Sequence, residues 1–528
     1  MYFLREIALF TTLIYIATTV AATPALILTQ LIKQNKLQEA KNASTVDPNK
    51  FLNFTSYSGF LTVDERYNSN LFFWYFPVSK DLAKTPWIIW LQGGPGATSL
   101  AGLFSEIGPF KYDINRKELK KRESSWCDEY SMVFIDNPVG AGFSFTDKDE
   151  GFVRNMEMYT DNLYRAVQQL VQVYPELGKA PLYIAGESYA GRYVPALATK
   201  ILEENHQAKH PINLQGLIMG NPVTDRSSIV DFTQMFYNWG LVDEQGAAAA
   251  RSLQEEYQHA INKGDNVLAH DLREKLYDKL QDIAYQNQLY NVLHDAKGLT
   301  DFSEWVTRPD IAEAIHVGGI AFTFSNQTVH TKLLPDFLSP VTPKIDVLLE
   351  NYKVLIYCGQ LDLTAPCVPS AAARRRDWRW SGRGAFLNAP RVPWWFNGTV
   401  AGYVKSGGNF TEIQVNGAGH LVPLDKPTQA KQIVHNFISG QVFSTPPDYR
   451  LLDPNPKYQD YSDLRTSEVL SNASEVKNGL IVSVVLNVLL LVGIVVGGIM
   501  TMRWKREHDY YNLPLSDNIS DDHILTFA

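Results

Sequence analysis

Three residues far apart in the chain have the types and settings that nucleophilic acyl transfer requires. Ser188 stands in "LYIAGESYAG" (182–191), where a short apolar run ends at a glycine and small residues open the next segment. A serine on a sharp strand-to-helix turn projects into open space, with the positive end of a helix behind it. Its hydroxyl is a weak nucleophile until a base takes the proton and an acid orients that base. His420, among the glycines of "NGAGHLVPLDKP", and Asp362, in the loop closing "LIYCGQLDLTAPC", supply the two types. Singly, each has a plain structural reading as a turn or loop residue. Together they follow the chain order Ser, Asp, His that suits a nucleophile elbow. The strict elbow has Gly two residues after Ser; Ala190 stands there instead, with Gly191 next, still small enough for close approach.

Such a constellation needs a scaffold that brings it together. From about 71 to 222, "LFFWYF", "PWIIWLQ", "SMVFIDNP", "PLYIAGES" and "NLQGLIMGNP" predict strands that run into loops at Gly, Pro or Asn. Between the third and fourth, Leu163, Val167, Leu170, Val171 and Tyr174 keep helical spacing. Alternating strand and helix predicts an α/β fold with a mostly parallel central sheet and helices on both faces. Long polar runs such as "EQGAAAARSLQEEYQHAINKGDNVLAHDLREKLYDKLQDIAYQ" predict a helical cap inserted over about 224–345. The strand pattern returns at "YKVLIYCGQLD" and "TEIQVNGAGH", with a helix in "KPTQAKQIVHNFIS". At 528 residues, 45 % hydrophobic and 12 % aromatic, the chain can bury a large core, which excludes a disordered protein. A net charge of -8 without a long basic block gives no footprint for nucleic acid. The short run "ARRRDWRW" (373–380) reads as an exposed basic helix face, with cleavage at Arg374–Arg376 and an anionic partner as the alternatives.

The two ends add a location. "MYFLREIALFTTLIYIATTVAATP" has one early Arg5, an apolar stretch and small residues at Ala21 and Ala22, and predicts a signal peptide over 1–22. The span predicted over 479–502 carries no charge from Leu480 to Met502, long enough to cross a hydrocarbon core of about 30 Å. Arg503, Lys505 and Arg506 follow it, against a lone Lys477 before it, so the tail (503–528) is expected in the cytosol. The expected protein is a type I membrane protein of the secretory or endolysosomal pathway, with its main domain (23–445) lumenal or extracellular and a stalk over 446–478. Sequons at Asn42, Asn53, Asn326, Asn397, Asn409 and Asn472 all fall on that side. Gly493 and Gly497 have the GxxxG spacing that lets two spans pair in a homodimer. "YYNL" (510–513) has the form of a sorting signal. The three cysteines, Cys127, Cys358 and Cys367, leave at least one thiol outside any internal bridge; Cys358 with Cys367 is the pair close enough in sequence to consider.

"WLQGGPGATSLAGLFSEIGP", "GESYAGRYVPA", "GNPVTD", "YCGQLDLTAP" and "GAGHLVPLDKP", taken in order, resemble the successive motifs of the serine carboxypeptidase family over roughly residues 50–440. "WLQGGPG" and "YCGQLD", with "DWRW" and "VAGYVK", are most similar to its vitellogenic-carboxypeptidase-like branch. The resemblance implies an α/β-hydrolase fold and a peptidase that removes single residues from peptide C-termini, working at acidic pH without metal or organic cofactor. It makes Ser188 the nucleophile, His420 the base and Asp362 its orienting partner, with backbone N–H groups of Gly94 and Tyr189 as the oxyanion hole. It assigns the substrate's terminal carboxylate to Gln92, Gly93 and a carboxyl pair, Glu187 and Glu106, that shares a proton. Two departures stand out. Gln92 replaces the commoner Asn, and "ATS" (Ala97–Ser99) replaces Cys-Ser-Ser, so bridges usual in the family cannot form. Two rival readings are an acyltransferase with the same triad, in which an alcohol replaces water, and a catalytically idle membrane binding protein that keeps the fold.

Overall fold

The computed structural model describes residues 23–224, 230–286, 288–443 and 500. The chain divides into two units between Pro447 and Asp448, and every element below belongs to the first. The expected signal segment, stalk, span and tail, with Asn472, the GxxxG pair and "YYNL", lie outside the described residues, Met500 excepted. No helix among the described residues is long and apolar enough to cross a membrane.

Thirteen strands are present among the described residues: β1 (Thr45–Val46), β2 (Ser56–Asp64), β3 (Ser69–Phe76), β4 (Trp87–Leu91), β5 (Phe110–Asp113), β6 (Glu118–Lys121), β7 (Ser131–Ile135), β8 (Leu182–Glu187), β9 (Leu214–Gly220), β10 (Lys353–Gly359), β11 (Val392–Phe396), β12 (Thr399–Gly407) and β13 (Phe410–Val415). Eleven make one sheet in the order β1-β2-β3-β7-β4-β8-β9-β10-β13-β12-β11, and β5 pairs with β6 apart from it. The centre, from β7 through β13 in that order, is parallel. Both flanks are antiparallel. "LFFWYF" lies in β3 and so in a flank, because the connection from β2 is only a single short turn, and a parallel partner would need a long crossover.

Central strands covered on both faces read as unbroken apolar runs, and their residues divide between two cores. Trp87, Ile89 and Leu91 of β4 enter one core, while Ile88 and Trp90 enter the other. In β7, Val133 and Ile135 oppose Met132 and Phe134 in the same way. The helix Met156–Val173 starts where Asn155 Oδ1 accepts the Met158 N–H at 3.0 Å, and it buries Leu163, Val167 and Leu170. It ends ahead of Pro175, which cannot extend it. Between β9 and β10 the insertion is helical at Phe232–Asn238, Glu244–Lys263 and Asn266–Ala284, then becomes loops and short helices.

Cys358 and Cys367 form a disulfide that closes the loop carrying Asp362, and Cys127 is a free thiol. The basic run is not a uniformly exposed face. Arg374 is buried on the helix Cys367–Asp377 and donates to Glu412 of β13 at 2.7 Å, and Arg375 bonds the other Glu412 oxygen. Arg376, paired with Asp377, and Arg379 are the exposed arginines of the run. A buried carboxylate requires cations, and two of the run's four arginines supply them.

Parallel strands share a direction, so the carboxyl ends of β4, β8, β10 and β13 lie along one edge of the sheet. The loops after those four ends carry Gln92–Gly94, Ser188, Asp362 and His420. That edge is where open α/β sheets build their sites.

Candidate active site

Ser188 follows β8 directly, with φ +58°, a left-handed conformation that a residue with a Cβ adopts only under constraint. Three backbone bonds supply it: Ser188 N–H donates to Gly220 O, and Ser188 O accepts from Gly191 and Val223, each at 2.9 Å. The loop after β4 presses on this turn. A Cβ on Gly93 would lie 2.7 Å from Ser188 Cβ and 2.8 Å from Tyr189 N, so only glycine permits the approach. The glycine loop therefore stands beside both Ser188 and the Tyr189 amide.

His420 Nδ1 lies 2.7 Å from Asp362 Oδ2, and both side chains are almost fully buried. Asp362 is saturated with donors. Its Oδ2 also accepts from Asn221 Nδ2 at 2.6 Å, and its Oδ1 accepts from the N–H groups of Thr364 (2.7 Å) and Ala365 (3.1 Å). A carboxylate so occupied can face the imidazole in one way only. His420 Nε2 has no hydrogen-bond partner, Ser188 Oγ included, and is the one nitrogen of the ring free to take a proton. In free enzymes such base–nucleophile bonds are often long and close when substrate binds.

Beside the serine sits the most unusual electrostatic feature of the fold. Glu187 and Glu106 are buried together, and Gln92 Nε2 reaches both, at 2.5 Å to Glu187 Oε1 and 3.3 Å to Glu106 Oε1. Trp90 Nε1 donates to Gln92 Oε1 at 2.9 Å, which fixes the amide with its nitrogen toward the acids. Burial pushes the Glu106 pKa up to about 7. Burial, and then the Glu106 charge, hold Glu187 well above the usual carboxylate range. Two carboxyls in contact cannot both ionise cheaply, and Oε2 of each lacks a donor from any other side chain. Arg122, whose guanidinium is bonded to the carbonyls of Phe104 and Gly108, adds a positive field that favours Glu106 as the charged member.

All nine residues expected at the site lie on this one edge. Sequence reasoning missed the supports. Asn221 bridges β9 and β10 by accepting the Gly359 N–H while it donates to Asp362. Asp136, after β7, accepts from Thr98 Oγ1 (2.7 Å), Ser99 N–H (2.8 Å) and Phe143 N–H (2.9 Å), and so pins the loop that carries Gln92 to Ser99. Burial raises its pKa to about 6. Their signal was a polar residue directly after an apolar strand, in "MGNP" and "FIDNP". Among the described sequons, Asn42, Asn53 and Asn397 are exposed. Asn326 and Asn409 are half-buried and donate their amides to Gly140 O and Leu349 O, both at 2.9 Å.

The fold and the serine elbow define the class of the α/β-hydrolases, and comparison with known proteins narrows it. Residues 47–440 match the serine carboxypeptidase family, and the chain belongs to it. The chain is 38 % identical to a venom serine carboxypeptidase of Apis mellifera over 79 % of this chain and 91 % of that one. It is 37 % identical to a vitellogenic carboxypeptidase of Aedes aegypti, over 78 % and 89 %. A probable serine carboxypeptidase of Homo sapiens, CPVL, is 36 % identical over 79 % and 90 %. A prohormone-processing carboxypeptidase of Saccharomyces cerevisiae shares the fold with a TM-score of 0.68 at 24 % identity, covering 76 % of this chain and 96 % of that one. The protein is thus a serine-type carboxypeptidase, a hydrolase of peptides.

The carboxyl pair predicts how stability follows pH. Folded-state pKa values raised above the unfolded ones mean that the native state holds protons more tightly, so the stabilisation is complete below about pH 4.5 and is lost as pH rises through about 7. Thermal melts from pH 4.5 to 8 should show Glu187→Gln losing less melting temperature across that range than the wild type. Equal losses would show that the pair does not share a proton.

Proposed function

We propose that Ser188, His420 and Asp362 form the catalytic triad and that the buried carboxyl pair beside it selects substrates ending in a free carboxylate. Ser188 Oγ attacks the last peptide carbonyl while His420 Nε2 accepts its proton. The same nitrogen then protonates the departing amino acid's amine, leaving an acyl-enzyme on Ser188. Water attacks that ester, again with His420 as base, and regenerates the serine. Asp362 steadies the imidazolium through Nδ1. The N–H groups of Gly94 and Tyr189 receive the oxyanion, each worth roughly 3 kcal/mol in the transition state.

The observation that carries exopeptidase character is the Gln92–Glu187–Glu106 group, placed in sequence and in space against Ser188. A protonated carboxyl donates to an incoming carboxylate, and Gln92 and the Gly93 N–H add neutral donors. As pH rises the pair loses the shared proton and repels the substrate, so activity is expected to favour acidic pH. Ser188→Ala should remove both turnover and labelling by an organophosphonate, with folding intact; a variant that still cleaved peptides would dismiss Ser188 as nucleophile. KM for a blocked dipeptide should climb with pH in the wild type and climb less in Glu187→Gln, while an amidated substrate shows little of either. Parallel curves for the two enzymes would remove the acid pair from carboxylate recognition.

For location, the charge asymmetry around Leu480–Met502 and the apolar N-terminus support a signal peptide, a single type I anchor and a domain facing the lumen or the exterior. Asn42, Asn53 and Asn397, exposed on that domain, are the favoured glycan acceptors. A chain ended before Leu480 should be secreted, active and glycosylated at these three. The full chain should stay with membranes, its C-terminal tag removed by protease added outside intact vesicles, whose outer face is the cytosolic one, and its main domain protected. A tag open to protease from the lumenal side would reverse the orientation.

A further inference from the structure

The loops after β10 and β13, which carry Asp362 and His420, are joined to one another by Leu361 N–H to Ala418 O (2.8 Å), Gly417 N–H to Gln360 Oε1 (3.4 Å) and the Asp362–His420 bond itself, and also through a third piece of chain. That piece is Leu289–Val292, at the end of the helical insertion. Leu289 O accepts from Leu363 N–H at 3.0 Å, and Val292 N–H donates to Leu361 O at 3.0 Å, so it brackets Asp362 from both sides. Between those bonds, Tyr290 O accepts the His420 backbone N–H at 2.6 Å, and the Tyr290 ring lies 4.8 Å from the imidazole. The contact is so close that a Cβ on Gly419 would collide with Tyr290 O and with Asn291 Cβ.

One side chain locks this segment in place. Asn291, buried although its neighbours are largely open, donates through Nδ2 to Asp425 Oδ2 at 2.9 Å. The same Asp425 oxygen accepts the Gly419 N–H at 2.7 Å, one residue before His420. Asn291 Oδ1 accepts from Leu293 N–H at 3.0 Å, which holds its own loop in a turn. The amide thus stands at the meeting point of the insertion, the His420 loop and the short helix Val422–Asp425. The titratable groups around it are Asp425, His294, whose Nε2 lies 3.1 Å from Asn291 Nδ2, and His420 beyond Gly419.

We propose that Asn291 is a positioning residue for the catalytic histidine, holding Leu289–Val292 so that one segment of the insertion fixes the Asp362 and His420 loops against each other. It touches neither substrate nor the reacting atoms. Its effect passes through Asp425 and Gly419 to the His420 backbone, and through Tyr290 O to the His420 amide. Geometry lost at a general base is felt in the chemical step, whereas substrate binding rests on the separate Gln92–Glu187–Glu106 group. The inference rests on the triad reading above.

The test uses the whole enzyme with an ester substrate, which removes the acid pair's own pH dependence, and an organophosphonate that reports the reactivity of Ser188. Asn291→Ala should lower kcat about tenfold or more with KM changed by less than about twofold, and should slow labelling to the same extent, at every pH. Asn291→Asp keeps the shape. At low pH its protonated carboxyl can still donate to Asp425, so kcat should approach the wild-type value. As pH rises it ionises against Asp425, and the ratio of wild-type to variant kcat should grow. An Asn291→Ala enzyme labelled and turning over at the wild-type rate would overturn the proposal. So would an Asn291→Asp enzyme whose deficit is the same at all pH values, since that is the mark of a general structural loss. If Asn291→Ala fails to fold, the pH-dependent rescue in Asn291→Asp decides alone. Failure of the wild type itself to be labelled at Ser188 would instead refute the triad assignment, and this proposal with it.

Discussion

Two carboxyl groups buried against each other, with one amide between them, set the terms for the rest of this site. Taking a carboxylate out of water costs several kcal/mol, and a second one beside it costs more, so burial side by side opposes ionising both Glu187 and Glu106. Gln92 provides the donor, Trp90 prevents its amide from turning over, and the Arg122 charge stands behind Glu106. The pair is costly as structure. In the proposed function it is a device that meets a third carboxylate, the end of a peptide, with a hydrogen-bond donor in place of a like charge.

The scaffold converts that local arrangement into a working geometry. Glu187 is the last residue of β8 and Ser188 the first of the turn, so the carboxyl pair and the nucleophile cannot be separated by any movement short of unfolding the strand. The parallel centre of the sheet then brings Asp362 and His420 to the same edge from strands two and three places away from β8. In the proposed mechanism the substrate lies between a rigid carboxylate anchor and a base held by saturated bonds. The labour divides accordingly: recognition by buried acids, proton transfer by the Asp362–His420 pair, and the oxyanion by backbone amides that Gly93 brings close.

Much of this was legible in the sequence because it depends on local rules. Apolar runs ending at Gly, Pro or Asn marked the central strands, and the residues expected at the site lie just past their ends. The antiparallel placement of β3 was less legible, since an apolar run of that length fits either direction and only the short connection to β2 decides. The reading of "ARRRDWRW" as an exposed face failed for a different reason. Glu412, which buries Arg374, lies 38 residues away and enters the picture only when β13 packs beside the helix. Asn221, Asp136 and Asn291 are hidden on the same ground. Each is an ordinary polar residue in its local segment, and its importance comes from a partner brought to it by the fold.

The central claim is that a shared proton lets two buried acids hold a substrate carboxylate. Calorimetric binding of a blocked dipeptide to the Ser188→Ala protein, at a pH high enough that both acids have ionised and in buffers of different ionisation enthalpy, measures it most directly. The account predicts uptake of about one proton per peptide bound, and none for the same peptide amidated, because only the free carboxylate requires the pair to regain its proton. Binding of the free peptide with no proton uptake would contradict it.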